Sequence, residues 1–311
     1  MTSRIAAQTH DQLLLPARDL APATQRAYDT DWRAFATWCS HHGLVPLPAT
    51  PDTVLSWLTH QEHNSYATST IARRLITIRR IHHDLGLPSP TDTLEVRTAW
   101  HRTRRRLGTA TRKVAPITID ILRQMVETCP PTPSGLRDHA LLVIGFAGAL
   151  RRSEIAGLRV ADIERHADGL VLTIRRSKGD PHGAGQRLGI PRGTTPGTCP
   201  EATHVAWTRH LDPASGPLFR PVDRHGNITA RHLSGRAIAE IIKRRAAAAG
   251  LDPDRYSGHS LRAGFATSAA LAGATELTIA RQTRHRSMSV LRGYTREGDL
   301  FKLNAATKVG L

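Results

Sequence analysis

Residues 108–116, Gly-Thr-Ala-Thr-Arg-Lys-Val-Ala-Pro, carry no apolar periodicity and separate two long stretches that do. Small residues, two charges and a closing proline are typical of a linker between domains. A chain of 311 residues is long enough for two domains, each with its own apolar core. We therefore predict five segments: a flexible leader (1–20), a first domain (21–108), the linker (109–116), a second domain (117–300) and a C-terminal tail (301–311).

The first domain has helical periodicity. Tyr28, Trp32, Phe35, Ala36 and Cys39 are three or four residues apart, as on one face of a helix. Prolines at 46, 48 and 51 end this pattern. Helices are predicted over 23–40, from about Thr53 onward, over 69–85 and over 92–107. The first domain is thus expected to be an all-helical bundle.

The second domain combines helices with a short β segment. Residues 169–177 are rich in β-branched side chains, and a glycine-rich turn separates them from 187–190, which predicts a β-hairpin. Helices are predicted over 118–128, 136–150, 201–211, 229–249, 259–271 and 276–284. The predicted fold class is mainly α with a small antiparallel β-sheet, an α+β chain.

The chain is strongly basic, with 43 Lys and Arg against 26 Asp and Glu and a net charge of +17. Such a surface attracts polyanions, so double-stranded DNA is the expected partner. An arginine-rich composition is also what a GC-rich coding sequence produces. The positions of the arginines, and not their number, therefore have to distinguish DNA binding from codon bias. One basic cluster ends the 92–107 helix and enters the linker: Arg102, Arg104, Arg105, Arg106, Arg112 and Lys113. This cluster either tracks DNA or is a solvated charged face.

The three cysteines, Cys39, Cys129 and Cys199, have wide and unrelated spacings. They imply neither a disulfide framework nor a Cys-x-x-Cys metal site. The first residues lack a signal-peptide pattern, and the longest apolar run, 140–150, is too short to span a bilayer. We expect a cytoplasmic protein that associates with the nucleoid and not with a membrane.

Four stretches of the second domain carry side chains that bind phosphate or transfer protons. They are Arg151 with Glu154, Lys178 in the glycine-rich turn, His259 with Arg262, and His285 followed nine positions later by Tyr294. Each has an ordinary structural explanation when taken alone, such as a helix-end cation, a solvated lysine or a packing aromatic. Their joint occurrence in this order is the informative signal.

This ordered set resembles the tyrosine recombinase, or phage integrase, family. The matching motifs are Leu150-Arg-Arg-Ser-Glu-Ile155, His259-Ser-Leu-Arg-Ala-Gly-Phe-Ala-Thr267 and Arg284-His-Arg-Ser287 with Tyr294-Thr-Arg296. The resemblance covers essentially the whole chain and implies a SAM-like core-binding domain followed by a catalytic domain. It implies site-specific DNA recombination (integration, excision, inversion or resolution) through a 3′-phosphotyrosine on Tyr294, with no metal, ATP or other cofactor.

Chemistry is consistent with the roles that the resemblance implies. Two guanidiniums, Arg151 and Arg262, would stabilise the charge that grows on the non-bridging oxygens of the attacked phosphate. His259 would take the proton of Tyr294, and Lys178 would protonate the departing 5′ oxygen.

Two further residues have supporting roles, and two positions are ambiguous or atypical. His285 would donate a hydrogen bond to the phosphate, and Glu154 would orient a cationic or imidazole neighbour.

The motif selects Arg151 and not the adjacent Arg152 as the inward-facing arginine. Arg284 stands where this family often has glycine, which puts the local turn in question but not the assignment of His285.

The resemblance also implies self-association, as a dimer on one DNA site and a tetramer in the synapse. The tail 301–311, with apolar Leu303, Ala305, Ala306 and Val309, is compatible with docking on a neighbouring subunit or with a frayed terminus. Accessory DNA-bending proteins are further partners that the resemblance allows.

Alternative interpretations remain at this point. Residues 275–294 can be taken as a helix-turn-helix in which Arg284, Arg286 and Arg292 meet DNA without any chemistry. A metal-dependent nuclease would use Asp252 and Asp254, although these are more typical of a turn before a helix. A relaxing topoisomerase would share the mechanism and differ in biological role.

Overall fold

A computed structural model describes residues 20–108, 114–175, 185–211 and 215–285. The contacts divide the chain into two compact units, Met1–Arg112 and Lys113–Leu311. The predicted leader, most of the predicted linker and the predicted tail lie outside the described residues, so those boundaries stay predictions. Within the described ranges, no helix combines the length and the apolar character needed to span a bilayer.

The first unit is a bundle of helices, as predicted. Its described helices are α1 (Pro22–His41), α2 (Pro51–His63), α3 (Thr68–Asp84) and α4 (Leu94–Leu107). The core contains Phe35 from α1, Trp57 from α2 and Ile71 from α3, all at most 3% exposed. Thr50 and Thr93 cap α2 and α4 through their hydroxyls, which satisfies backbone N–H groups that a helix start leaves unpaired.

The second unit has a larger apolar core. Along the chain, some of its helices precede a small sheet and the others follow it. Its described elements are α5 (Ile119–Glu127), α6 (Pro133–Ala147), α7 (Arg152–Gly157), β1 (Ile163–His166), β2 (Gly169–Ile174), β3 (Gln186–Pro191), α8 (Pro200–Thr208), α9 (Gly235–Ala248), α10 (Ser260–Leu271) and α11 (Glu276–Thr283). The predicted class, mainly α with a small antiparallel sheet, is confirmed.

The sheet has three strands and is not the simple hairpin that the sequence predicts. Its order is β1-β2-β3, with Ile163 opposite Leu172 and Leu172 opposite Leu188, and both pairings are antiparallel. Strand β1 has the sequence Ile-Glu-Arg-His, and only Ile163 is buried. A four-residue edge strand with one apolar side chain carries no alternation that sequence inspection could detect.

Two predicted helices change at their ends. Residues 229–234 are not helical, because the chain there returns from a bridge between Val222 and Ile228, and Ser234 then caps α9. Helix α6 stops at Ala147 instead of continuing to Leu150, because Ala149 has a left-handed backbone with φ 44°. The turn formed by 148–151 is what positions the candidate site.

Helix α10 packs directly on the backbone of the segment that enters α5. Ser260 O accepts from the Ile117 amide at 3.0 Å, and Ser268 Oγ accepts from the Ile119 amide at 3.0 Å. Gly264 faces this segment, and a Cβ built on it would lie 1.7 Å from Ile117 O. Only glycine therefore allows this approach.

We predict that Gly264→Ala lowers the free energy of unfolding by about 2 kcal/mol or more, because an added methyl group must displace backbone atoms. Urea unfolding followed by circular dichroism measures the change. The matched control is Gly157→Ala in α7, where a Cβ meets no atom within 4 Å. Equal stability of the Gly264 variant and the wild-type chain would contradict the packing described.

Candidate active site

The C-terminal end of α6 is capped by side chains from α10 and α11. Gln282 Nε2 donates to Ala147 O at 2.9 Å, Arg284 Nη1 to Gly148 O at 3.1 Å, and Arg262 Nη1 to Ala149 O at 2.9 Å. The last carbonyls of a helix lack intrahelical partners and favour positive charge. Three segments that are distant in sequence therefore meet at this turn.

Arg262 and His259 come from the start of α10. His259 is the N-cap residue and is exposed, whereas Arg262 lies in the first turn and is 1% exposed. The three-residue spacing places both side chains on the same side of the helix start. The predicted proximity of this imidazole and this guanidinium is thus present.

Arg151 is held by a buried carboxylate three residues later. Its Nη1 donates to Glu154 Oε1 at 2.7 Å, and its backbone N–H donates to Glu154 Oε2 at 2.9 Å. The Glu154 side chain is 1% exposed and that of Arg151 is 24% exposed. The adjacent Arg152 is exposed and packs along Gly235 and Gly258. Arg151 is therefore the inward-facing member of the pair.

Arg284 is the site residue whose contacts the sequence did not reveal. It follows α11 in a left-handed conformation, φ 57° and ψ 40°, which costs a non-glycine residue roughly 1–2 kcal/mol. Its side chain is 4% exposed and donates from Nη2 to Glu154 Oε2 at 2.7 Å. The helix-turn-helix interpretation is wrong about Arg284, because a side chain buried in this way cannot meet DNA. Arg286 and Arg292 lie outside the described residues.

Both imidazoles of the set have lowered pKa values. Desolvation, followed by the charges of Arg262 and Arg151, lowers the pKa of His259. Desolvation and then the charges of Arg262, Arg151, His259 and Arg284 lower the pKa of His285 to about 4. Because both guanidiniums act on both rings, these four groups share one electrostatic environment. Both imidazoles are neutral near pH 7.

The hydrogen bonds of Thr283 connect the tautomer of His285 to the direction of the hydroxyl hydrogen. Thr283 Oγ1 is 2.7 Å from Ile279 O and 2.7 Å from His285 Nδ1. A hydroxyl has one hydrogen to donate, and a carbonyl can only accept it. When the hydroxyl donates to Ile279 O, His285 Nδ1 carries a proton and donates to the hydroxyl oxygen, and Nε2 of the neutral ring has no proton. In this state Nε2 can accept a hydrogen bond but cannot donate one.

Two of the predicted catalytic residues lie outside the described residues. Lys178 belongs to the connection between β2, which ends at Ile174, and β3, which begins at Gln186. Tyr294 follows the last described residue, His285. Their roles stay predictions. The residues that the structure brings together are Arg151, Glu154, His259, Arg262 and His285, with Arg284 added to them.

The predicted basic cluster of the first unit is exposed where it is described. Arg102, Arg104, Arg105 and Arg106 lie in the last turns of α4. Arg106 pairs with Glu62, and the Arg104 guanidinium lies 5.9 Å from the ring centroid of Trp100. In the described part of the chain, Arg102 and Arg105 pair with no carboxylate. Arg112 and Lys113 lie outside the described residues.

The candidate metal ligands of the nuclease alternative have structural roles. Asp252 Oδ1 accepts from the Asp254 amide at 3.0 Å and caps the turn Pro253–Arg255, while Asp254 pairs with Lys243. Among the described residues there is no group of three or more His, Cys, Asp or Glu side chains that could hold a metal ion. The predicted turn before a helix is confirmed.

Both the sequence and the fold are similar to those of known recombinases. Residues 8–85 match the family model of the phage integrase N-terminal SAM-like domain. A crystal structure of the XerH site-specific recombinase bound to a palindromic difH substrate, a post-cleavage complex, has a TM-score of 0.66 at 15% identity over 92% of this chain and 80% of that chain. A lambda integrase tetramer bound to a Holliday junction has a TM-score of 0.62 at 15% identity over 92% and 74%.

One curated relative is similar enough in sequence to establish the family. It is an integrase/recombinase described as an XerD homolog from Selenomonas ruminantium, 36% identical over 293 residues, which cover 93% of this chain and 86% of that protein. A match over 93% of the chain spans both units. The chain therefore belongs to the tyrosine recombinase, or phage integrase, family, as its ordered motifs predicted.

Proposed function

We propose that the chain is a site-specific DNA recombinase that cuts and rejoins strands through a 3′-phosphotyrosine on Tyr294. The observation that carries the proposal is the convergence of Arg151, Arg262 and two neutral imidazoles at the turn after α6. Two guanidiniums there, those of Arg151 and Arg284, share the single carboxylate of Glu154, and that of Arg262 donates to the Ala149 carbonyl. Within the described part of the chain this leaves positive charge uncompensated, which suits a phosphodiester.

The first role of this site is to stabilise the attacked phosphate. When an oxygen attacks a phosphodiester, negative charge grows on the two non-bridging oxygens in the pentacoordinate transition state. Arg151 is fixed before substrate arrives, since Glu154 binds both its guanidinium and its backbone amide. Fixed donors need little reorganisation during the reaction. Arg151 and Arg262 are proposed to bind these oxygens.

The second role is proton transfer on either side of the phosphorus. The Tyr294 oxygen forms a bond to phosphorus while its proton moves to His259, whose lowered pKa keeps it neutral and able to accept. The bond from phosphorus to the 5′ oxygen breaks, and Lys178 supplies the proton that this oxygen needs. A 5′ hydroxyl from another strand reverses these steps, so the bond energy is conserved without ATP.

His285 requires a second proton before it can donate to the phosphate. In the free protein its Nδ1–H is directed at Thr283, and its pKa is about 4. A bound phosphate adds negative charge beside the ring and favours the imidazolium, whose Nε2–H can then donate. Proton uptake by His285 is therefore proposed to accompany phosphate binding.

DNA binding and assembly involve other surfaces. The exposed arginines of α4 are proposed to contact the DNA backbone, together with Arg112 and Lys113. The similar lambda integrase structure is a tetramer bound to a Holliday junction. For this chain we propose a dimer on each DNA site and a tetramer in the synapse. Residues 301–311 are proposed to dock on a neighbouring subunit. Such a protein would act on the nucleoid, alone or with DNA-bending proteins.

The nucleophile is tested on DNA obtained by selecting binding sites from random duplexes. We expect the wild-type chain to form a denaturant-resistant adduct with a nicked duplex without added metal, and Tyr294→Phe to form none while its Kd stays within about twofold. Gel electrophoresis of end-labelled DNA under denaturing conditions measures the adduct. An adduct formed by the Phe variant would show that another residue attacks; no adduct from the wild-type chain would favour a non-catalytic DNA-binding protein.

Proton uptake by His285 predicts a pH dependence of DNA binding. Because the bound-state pKa is higher than the free value of about 4, the complex binds more protons, and affinity rises as pH falls from 8 toward 5. His285→Gln should remove this part of the rise, whereas the exposed His210→Gln should keep it. Fluorescence anisotropy at fixed salt gives the affinities, and the same slope in all three proteins would refute proton uptake at His285.

Removal of residues 301–311 tests the proposed assembly. We expect binding to a single half-site to be unchanged and the cooperativity between two half-sites to fall about tenfold, a common size for coupling between sites. Electrophoretic mobility shifts on one-site and two-site duplexes separate the two quantities. Unchanged cooperativity would argue that the tail docks on its own subunit or on nothing.

A further inference from the structure

We infer that Arg284 is a positioning residue of the active site, which couples the turn after α6 to Glu154 and so fixes the orientation and charge of Arg151. This inference rests on the proposed function of that site. Arg284 stands where this family often has glycine, so its position in the sequence alone indicates no role. The contacts of its guanidinium with the turn after α6 and with Glu154 indicate this role.

The guanidinium of Arg284 is fully engaged by the protein at both terminal nitrogens. Nη1 donates to Gly148 O at 3.1 Å and to Gln282 O at 3.4 Å, and Nη2 donates to Ala149 O at 3.4 Å and to Glu154 Oε2 at 2.7 Å. Nε is buried and has no hydrogen-bond partner among the described residues. Since the side chain is 4% exposed and both terminal nitrogens are engaged by the protein, we infer that Arg284 acts through other residues and not as a phosphate ligand.

The backbone of Arg284 argues that the side chain is needed. The residue ends α11 with φ 57° and ψ 40°, a conformation that glycine adopts without strain. Burial also lowers the pKa of Arg284 by removing its charge from water. An arginine that tolerates both penalties has compensating contacts, and strained residues of this kind are concentrated at functional sites.

The contact with Glu154 connects Arg284 to Arg151. Glu154 Oε1 accepts from Arg151 Nη1, and Oε2 accepts from the Arg151 amide and from Arg284 Nη2. The carboxylate is therefore shared between two guanidiniums, so it neutralises Arg151 less than it would alone. Without Arg284, Arg151 would be the only cation on Glu154 and would offer less charge to the phosphate.

Three substitutions separate the parts of this inference. Arg284→Gly removes the side chain and the backbone strain, Arg284→Met keeps the bulk without the charge, and Arg284→Lys keeps the charge without the forked geometry. The matched control is Arg281→Met, an exposed arginine one turn earlier on α11. Far-ultraviolet circular dichroism and thermal unfolding identify any variant that is not folded.

The first measurement needs no DNA. The Nε–Hε signal of Arg151, assigned with Arg151→Lys, is followed by ¹⁵N NMR in each folded protein. In the wild-type chain and the Arg281 control, we expect this signal to be protected from hydrogen exchange with water. In the Gly and Met variants we expect it to be shifted, or broadened by faster exchange. An unchanged Arg151 signal in both of those variants would overturn the inference, whether or not the chain is a recombinase.

The second measurement is the single-turnover rate of adduct formation on the nicked duplex. We expect the Gly and Met variants to lose at least about tenfold in rate with Kd unchanged, since a transition-state contact is weakened, and the Lys variant to recover part of that loss. Wild-type rates in folded Gly and Met variants would overturn the inference. If the wild-type chain forms no adduct, the proposed function fails, and the NMR result alone decides the role of Arg284.

Discussion

The capping of the α6 C-terminus is the interaction on which the site depends. A helix end leaves carbonyls without partners, and here those of residues 147, 148 and 149 accept from Gln282, Arg284 and Arg262. Cations stabilise this end of a helix dipole. The same bonds bring the start of α10 and the end of α11 to the turn that carries Arg151, so one local requirement of helix chemistry assembles residues from three parts of the chain.

The shortage of carboxylates gives this assembly its electrostatic character. Glu154 is 4% exposed and is shared by Arg151 and Arg284, while Arg262 bonds to a carbonyl oxygen. A neutral carbonyl does not cancel the charge of a guanidinium as a carboxylate does. Desolvation first, and the charges of Arg262 and Arg151 second, lower the pKa values of His259 and His285. The guanidiniums proposed to bind the phosphate thus also favour the neutral form of the imidazole proposed as the base.

The sequence revealed the fold class and the family, because these depend on features with a regular period or a fixed order. Helices such as α1 and α3 have apolar residues at helical spacing, and this spacing can be detected from the sequence alone. Strand β1 was missed because Glu164, Arg165 and His166 are exposed. Residues 229–234 were wrongly predicted as helix because the bridge of Val222 with Ile228, a contact outside the local pattern, determines their path.

Arg284 shows why part of the site could not be predicted. Its departure from glycine was visible in the sequence, and a left-handed backbone is what glycine at that position would suggest. Its burial was not visible, because it requires the carbonyls of 148 and 149 and the carboxylate of Glu154, which are about 130 residues away in sequence. A basic run such as Arg284-His-Arg indicates solvent or DNA contact, and only the fold shows that Arg284 is buried against Glu154 and two carbonyls.

Neighbouring residues of the segment 282–285, at the end of the short helix α11, make contacts with different parts of the fold. Gln282 and Arg284 bond to the α6 carbonyls, while Thr283 accepts from His285 and donates to Ile279. Arg284 therefore holds the turn in place on one side, and Thr283 fixes the imidazole on the other. Since Arg284 has a left-handed backbone, a single strained residue lies between the side chain that bonds to the α6 turn and the imidazole that is proposed to respond to phosphate.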